Sequence, residues 1–188
     1  AFVIQSIYYA IVLSKKSHII ISIAPLSSGI IGAIVHSINR KHHHFDIPDI
    51  LPDLGVSAGM IKNKIVIRLL SKLEKWVYNH STTISTCTKG QLENIKNKGV
   101  ASKKMIWIPD WVDSSSFIFD GNKQSRKLFK KFKGKIIISF MGNIGALQNP
   151  KVFLETMSLL SYKSQIHFLF IGDGIMLSEL KSRVKELN

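Results

Sequence analysis

The segment FMGNIGALQNP (140–150), echoed by FLFIGDG (168–174), decides how the rest of the chain is read. Each joins an apolar run to a glycine turn: residues 136–141 run into Gly142, and residues 166–171 run into Gly172. An amphipathic run follows each turn. An α/β sheet builds a phosphate site in this way, because turn N–H groups and the N-terminus of the next helix accept negative charge. Gly142, Asn143, Ile144 and Gly145 follow the first run and lead to Pro150, a favoured first-turn helix residue. Gly172, Asp173 and Gly174 repeat that context. Neither segment is a GxGxxG fingerprint or a GxxxxGK(S/T) loop, so hydride transfer and NTP hydrolysis lack their signatures. Without a ligand, both are simply tight turns at strand ends.

Outward from these turns, helix and strand alternate. A helix is expected over 2–15, a strand at HIIISIA (18–24), and a helix over 27–40 capped by Ser27 or Ser28. A strand at HHFDI (43–47) precedes the loop DILPDLGVSAG (49–59) and a long helix over 60–79. TTIST (82–86) is a strand, 88–98 a helix closed by Gly99, and MIWIP (105–109) a strand. WVDSSSFIFDGNKQ (111–124) is irregular and polar, and the basic helix RKLFKKF (126–132) follows it. The pattern then restarts with KIIISFMG (135–142), a helix over 149–161, QIHFLFIG (165–172) and a last helix. Continuous apolar strands predict parallel sheets covered on both faces, and therefore an α/β fold. The restart predicts two Rossmann-like parallel-sheet domains, each partly present: 1–115, a linker at 116–133, and 134–188.

The 188 residues are 45% hydrophobic and 20% charged, which sets a folded core apart from disorder. The single cysteine, Cys87, excludes an internal disulfide and fits a reducing cytoplasmic setting. It reads as a buried strand end. The net charge of +14 fits nucleic acid, an anionic membrane or a phosphorylated substrate as partner, or equally a solvated basic surface. Its lysines are dispersed and no nucleic-acid signature appears, so nucleic acid is not an expected partner. The opening AFVIQSIYYAIVL lacks a signal-peptide pattern and is too short to span a bilayer. It reads as a core helix entered midway, and the last residues stop inside a helical pattern, as in a fragment.

Three groups of polar residues invite functional readings. Asp46, Asp49 and Asp53 share one post-strand loop, where they act as acid, base or cation ligands, or as loop caps around Pro48 and Pro52. His42, His43 and His44 alternate across a strand, so they cannot converge on one metal ion. No metal site is expected. The helix over 60–79 carries Lys64, Arg68, Lys72 and Lys75 beside an apolar stripe of Ile61, Ile65, Leu69, Leu73 and Trp76. That stripe is either ordinary core or a peripheral contact with an anionic membrane, with Trp76 at the interface.

Taken together, the segments resemble a retaining family-four glycosyltransferase of the two-domain GT-B fold, in the colanic-acid, capsule and O-antigen group. SIAPLSSGIIGAIV (22–35) is similar to that group's "sPPl" turn, and FDIPDILPDLGV (45–56) to its "fDvqDlwPd" loop. Leu73 to Tyr78 with TTIST resembles its glutamate-tyrosine helix and following strand. IPDWVD (108–113) resembles "iPNwvD", FMGNIGALQ resembles "ysGNiGxkQ", and FLFIGDG resembles the second glycine turn. The resemblance covers nearly the whole chain, in order. It implies an acceptor-side domain first and a nucleotide-sugar domain second. Gly142, Asn143, Gly145, Gln148, Gly172, Asp173 and Gly174 would bind the donor, and Asp49 would be the catalytic carboxylate. Trp111 and Asp113 would hold the hinge. The implied donor is a nucleotide sugar, with UDP expected and neither metal nor cofactor required. The implied acceptor is a lipid-linked or other saccharide at the inner face of the plasma membrane.

Departures from the group carry their own expectations. Leu147 stands where a lysine usually precedes the glutamine, Asp110 replaces the hinge asparagine, and Pro48 precedes Asp49 where many members have histidine. The donor-binding Glu-x7-Glu pair is missing, since Glu179 and Glu186 have six residues between them and lie on a different helix. The N-terminal glycine loop is also missing. The isolated chain is therefore expected to be inactive. A noncatalytic remnant that kept the sheet is the alternative. An epimerase-like protein is disfavoured because neither Tyr78 nor Tyr162 has a lysine four residues on.

Overall fold

A computed structural model describes residues 2–117, 127 and 130–187. Residues 118–126, 128 and 129, within the expected linker and basic helix, lie outside the described residues. The chain divides into two compact units, Ala1–Val112 and Asp113–Asn188.

The first unit runs α1 (Phe2–Ser14), β1 (Ile19–Ile23), α2 (Leu26–Asn39), β2 (His42–Asp46), α3 (Asp53–Ser57), α4 (Lys64–Asn79), β3 (Thr83–Thr86), α5 (Lys89–Asn97) and β4 (Met105–Trp107). Its strands form one parallel sheet in the order β1-β2-β3-β4. Right-handed crossovers between successive strands bring α2, α4 and α5 to the same face. Phe45, Ile47, Ile84, Ile95, Val77 and Tyr78 fill the core there. Among the described residues, the opposite face of β1 is not covered as the sequence predicted: Ile19, Ile21 and Ile23 are exposed while Ser22 between them is buried. Uniformly apolar strands hid which face the crossovers would take.

Local chemistry explains the element ends, with two corrections. Thr88 and Gln91 form a capping box at the start of α5, and Gly99 follows its end with φ +93°. Asn63 Oδ1 accepts from the amides of Ile65 and Val66, so α4 begins at Lys64 rather than near residue 60. Neither Ser27 nor Ser28 caps α2, which begins at Leu26; Ser28 Oγ instead donates backwards to Pro25 O at 2.8 Å. The opening helix is also not a core helix, because Ile4, Tyr8, Tyr9 and Leu13 are exposed along α1.

The expected apolar stripe of α4 is displaced as well. Burial falls on Glu74, Val77 and Tyr78 in its last turns, while Ile65 is 69% and Leu69 61% exposed. Trp76 packs partly against the core and tilts over His80, with 4.6 Å between ring centroids.

The second unit contains β5 (Ile136–Met141), a short 3-10 turn at Ala146–Gln148, α6 (Pro150–Leu159), β6 (Ile166–Ile171) and α7 (Leu177–Leu187). The two strands pair in parallel over their full length, from Ile136 opposite Ile166 to Met141 opposite Ile171. Ile144, Leu154 and Leu180 are buried together, with Phe140, Phe170 and Met176 against them.

His43 is the most heavily constrained polar residue of the first unit. It is fully buried, with Nε2 2.7 Å from Ser22 Oγ and Nδ1 3.3 Å from Ser81 Oγ. A Cβ at Gly32 would lie 2.1 Å from Nε2, so α2 crosses the ring only through a glycine. Burial pulls the His43 pKa down to about 4. The folded state thus holds it neutral, whereas the unfolded chain protonates it near 6.5. Its contribution to stability is complete above pH 6.5 and is lost as pH falls towards 4. Urea unfolding at several pH values should show a slope of up to about 1.4 kcal/mol per pH unit in that window. The slope should be missing in His43→Asn; an unchanged slope in that variant would assign it to other groups.

Candidate functional site

In the second unit, the parallel register brings both glycine turns to the same sheet end. Backbone bonds join them: Gly142 N donates to Ile171 O at 3.0 Å, Ile144 N to Asp173 O at 2.7 Å, and Met176 N to Ile144 O at 3.0 Å. Buried Ile144 anchors the first turn between α6 and α7. Gly142 has φ +138° with open space at its Cβ position, so conformation selects glycine there. Gly172 and Gly174, at φ +156° and +155°, are limited by space as well as by conformation. A Cβ at Gly172 would meet Gly142 O at 1.8 Å, and one at Gly174 would meet Ile144 O at 2.4 Å.

Asn143 Nδ2 donates to Gln148 Oε1 at 3.4 Å, and Asp173 Oδ1 accepts from the Gly174 amide at 2.7 Å. Gly145 is buried between these side chains, and Asn149 turns through φ +45° before Pro150 opens α6. Among the described residues, the amides of Asn143, Gly145 and Asp173 have no hydrogen-bond partner. All seven expected donor residues therefore lie on two adjoining turns, three of whose amides carry no hydrogen bond among the described residues. Leu147 is exposed where the resembled group carries a cation. Lys151, in the first turn of α6, was not singled out from sequence; it pairs with Glu179 at 3.2 Å.

The first unit carries a separate concavity of about 390 Å³ where β2, β3 and β4 end. Its walls are Asp46, Pro48, Cys87, Ile108, Pro109, Asp110 and Trp111. Cys87 is half-buried rather than buried, with Sγ 3.2 Å from Gln91 Oε1. Trp111 is 87% exposed. Asp49, the expected catalytic carboxylate, is exposed on the loop after β2 and is not among these wall residues.

The three loop aspartates separate instead of clustering. Asp46 accepts from Ser85 Oγ, whereas Asp53 accepts from Lys98 Nζ at 2.9 Å and Asn94 Nδ2 at 3.0 Å. Lys98 also reaches Glu74 at 2.6 Å, and Tyr78 O–H donates to Glu74 at 2.8 Å. Burial raises the Glu74 pKa against the opposing pull of Lys98 and Tyr78; burial and then the Glu74 charge raise that of Tyr78. Lys98 was not legible as part of this network, since it lies 24 residues from Glu74. Among the described residues, no group of three or more metal-ligating side chains converges.

In the second unit, Asp113 Oδ1 accepts from Ser115 N at 2.9 Å and Ser115 Oγ at 2.7 Å, bonds that hold its pKa below the usual carboxylate value.

Solved structures of two-domain GT-B glycosyltransferases carry the same parallel-sheet α/β fold. Anabaena HepE in complex with UDP superposes with TM-score 0.72 at 12% identity, over 96% of this chain and 48% of that one. The lipopolysaccharide outer core galactosyltransferase WaaB superposes with TM-score 0.63 at 13% identity, over 98% of this chain and 45% of that one.

In sequence, the chain is similar to Pseudomonas aeruginosa WbjE, named as a probable glycosyltransferase, with 25% identity over 74% of this chain and 35% of WbjE. It is similar also to Escherichia coli (strain K12) WcaI, named for glycosyl transfer in colanic acid biosynthesis, with 27% identity over 67% of this chain and 31% of WcaI. The chain spans about a third of the length of these curated relatives. No family model matches it.

The glycine contacts set a graded test. Gly172→Ala and Gly174→Ala should each destabilise the second unit by about 2–3 kcal/mol, because backbone must move. Gly90→Ala, with open space around its Cβ position, should be neutral or stabilising by up to about 1 kcal/mol. Chemical denaturation of the three variants checks the ranking, and equal stabilities would contradict the contact geometry.

Proposed function

We propose that this chain is part of a retaining family-four glycosyltransferase that uses a nucleotide sugar to build bacterial surface polysaccharide. The observation that carries the proposal is the pair of joined glycine turns with unpaired amides at the carboxyl end of a parallel sheet. The relatives named for glycosyl transfer and the UDP complex of a protein with this fold support it. In this reading the turn amides bind the donor diphosphate and stabilise the charge that grows on it as the glycosidic bond to it breaks. No metal is needed for that role. Asn143 and Gln148 orient the first turn, and Gly172 to Gly174 border the nucleotide. Asp49 faces the transferred hexose or N-acetyl sugar, and Trp111 and Asp113 belong to the hinge.

The test is a titration of the isotopically labelled chain with UDP, GDP and ADP sugars, read at the backbone amides. UDP sugars should shift the amides of Asn143, Gly145 and Asp173, and sugar transfer by this chain alone should be undetectable. Unmoved turn amides with all three nucleotides would reject the donor reading. A noncatalytic remnant is the second reading; Leu147 in the turn and the engagement of Lys151 by Glu179 favour it. Flanking DNA separates the two: an in-frame Glu-x7-Glu segment marks the enzyme and an early stop marks the remnant.

The acceptor in this proposal is lipid-linked, and α4 supplies a peripheral contact at the cytoplasmic face of the membrane. Exposed Ile65, Val66 and Leu69 lie among Lys62, Lys64, Arg68 and Lys72, a pairing of apolar and cationic groups suited to anionic headgroups. Trp76 does not take part, because it packs inward. No helix among the described residues is long and apolar enough to cross a membrane. Sedimentation with vesicles should show binding to phosphatidylglycerol-rich membranes and little to phosphatidylcholine. Ile65→Glu with Leu69→Glu should weaken that binding at least tenfold while leaving the fold intact. Equal binding to both vesicle types would remove the membrane from the proposal.

A further inference from the structure

The face of the first sheet opposite α2, α4 and α5 carries a chain of hydrogen bonds that ends at the 390 Å³ concavity. His42 Nε2 is 3.2 Å from Thr83 Oγ1, and Thr83 Oγ1 is 2.8 Å from His44 Nδ1. His44 Nε2 is 3.0 Å from Ser85 Oγ, and Ser85 donates to Asp46 Oδ1. The parallel register creates this ladder by setting His44 opposite Thr83 and Asp46 opposite Ser85.

Donor bookkeeping fixes the direction of every bond. The Ser85 hydroxyl hydrogen is committed to Asp46, so Ser85 Oγ can only accept from His44 Nε2–H. A neutral His44 then has a bare Nδ1, which accepts the Thr83 hydroxyl hydrogen. Thr83 Oγ1 in turn accepts from His42 Nε2–H. All donors therefore point towards Asp46. Burial lowers the His44 pKa, with Asp46 opposing and His42 reinforcing, which favours the neutral ring that this order requires.

We propose that His44 is a positioning residue that, through Ser85, holds one oxygen of Asp46 and leaves the other to accept a hydrogen bond from a ligand hydroxyl in the concavity. Among the described residues, none donates to Asp46 Oδ2. The walls pair two carboxylates, Asp46 and Asp110, with the apolar surfaces of Ile108, Pro109 and Trp111, and among the described residues they include no lysine or arginine. This lining repels phosphate and suits a neutral polyol with an apolar face, such as a pyranoside. Only the identification of that ligand with a saccharide acceptor rests on the proposed glycosyl transfer. The role is one of binding, and no covalent bond changes at Asp46.

Long-range proton–nitrogen correlation on the nitrogen-labelled chain at neutral pH reads the His44 tautomer directly. It should be the Nε2–H form in the wild type, and Ser85→Ala should abolish that preference. Methyl α-D-glucopyranoside is the probe, followed at the Trp111 indole N–H. Asp46→Asn and His44→Phe should weaken its binding about tenfold. His44→Gln, whose amide can still donate to Ser85, should bind within about twofold of the wild type.

An Nδ1–H tautomer in the wild type overturns the proposal, and so does probe binding that is absent or equal in all variants. Because these readouts need neither nucleotide nor transfer, they stand or fall independently of the UDP titration.

Discussion

Parallel pairing places the carboxyl ends of neighbouring strands on one side of each sheet, and each return to that side must be a crossover. Both candidate sites follow from this constraint. In the second unit, full-length register between Ile136–Met141 and Ile166–Ile171 brings two distant glycine turns into backbone contact. In the first, the ends of β2, β3 and β4 bring Asp46, Cys87 and Asp110 around one concavity. Ligand sites outside the carboxyl ends of strands are the general rule for such sheets, and the register determines which side chains reach them.

Charge is distributed very unevenly over this scaffold. In a chain with net charge +14, the described residues lining the first concavity include two aspartates and no basic side chain. Elsewhere in the first unit, Lys98 lies between Glu74 and Asp53, tying the end of α5 to α4 and to the start of α3. A buried carboxylate such as Glu74 is tolerable only with such partners, and removing Lys98 would strand it in a low-dielectric interior. The neutral His43, on the same face of β2, follows the same logic by giving up its charge instead of pairing it.

Much of this was legible in the sequence. Apolar runs ending at Gly142 and Gly172 gave the parallel strands, and their turns held the expected donor residues. Alternation across a strand separated His43 from His42 and His44 without any structure. Other features depended on tertiary choices that periodicity does not encode. Strands of uniform isoleucine do not reveal which face the crossovers leave bare. The stripe on α4 was assigned to Ile65 and Leu69, yet packing selected Glu74, Val77 and Tyr78. Asp46, Asp49 and Asp53 looked like one cluster because they are close in sequence. Their partners, Ser85 and Lys98, come from later crossovers that local spacing cannot supply.

The contact between the glycine turns has an evolutionary consequence. Gly172 abuts the carbonyl of Gly142, and Gly174 abuts that of Ile144, so any side chain at either position forces strand ends apart. Selection for folding alone would preserve both glycines in a lineage that no longer handled a nucleotide. The two glycines therefore report the geometry of the sheet and not what it binds, whereas the solvent-facing Leu147 beside them is free of that constraint.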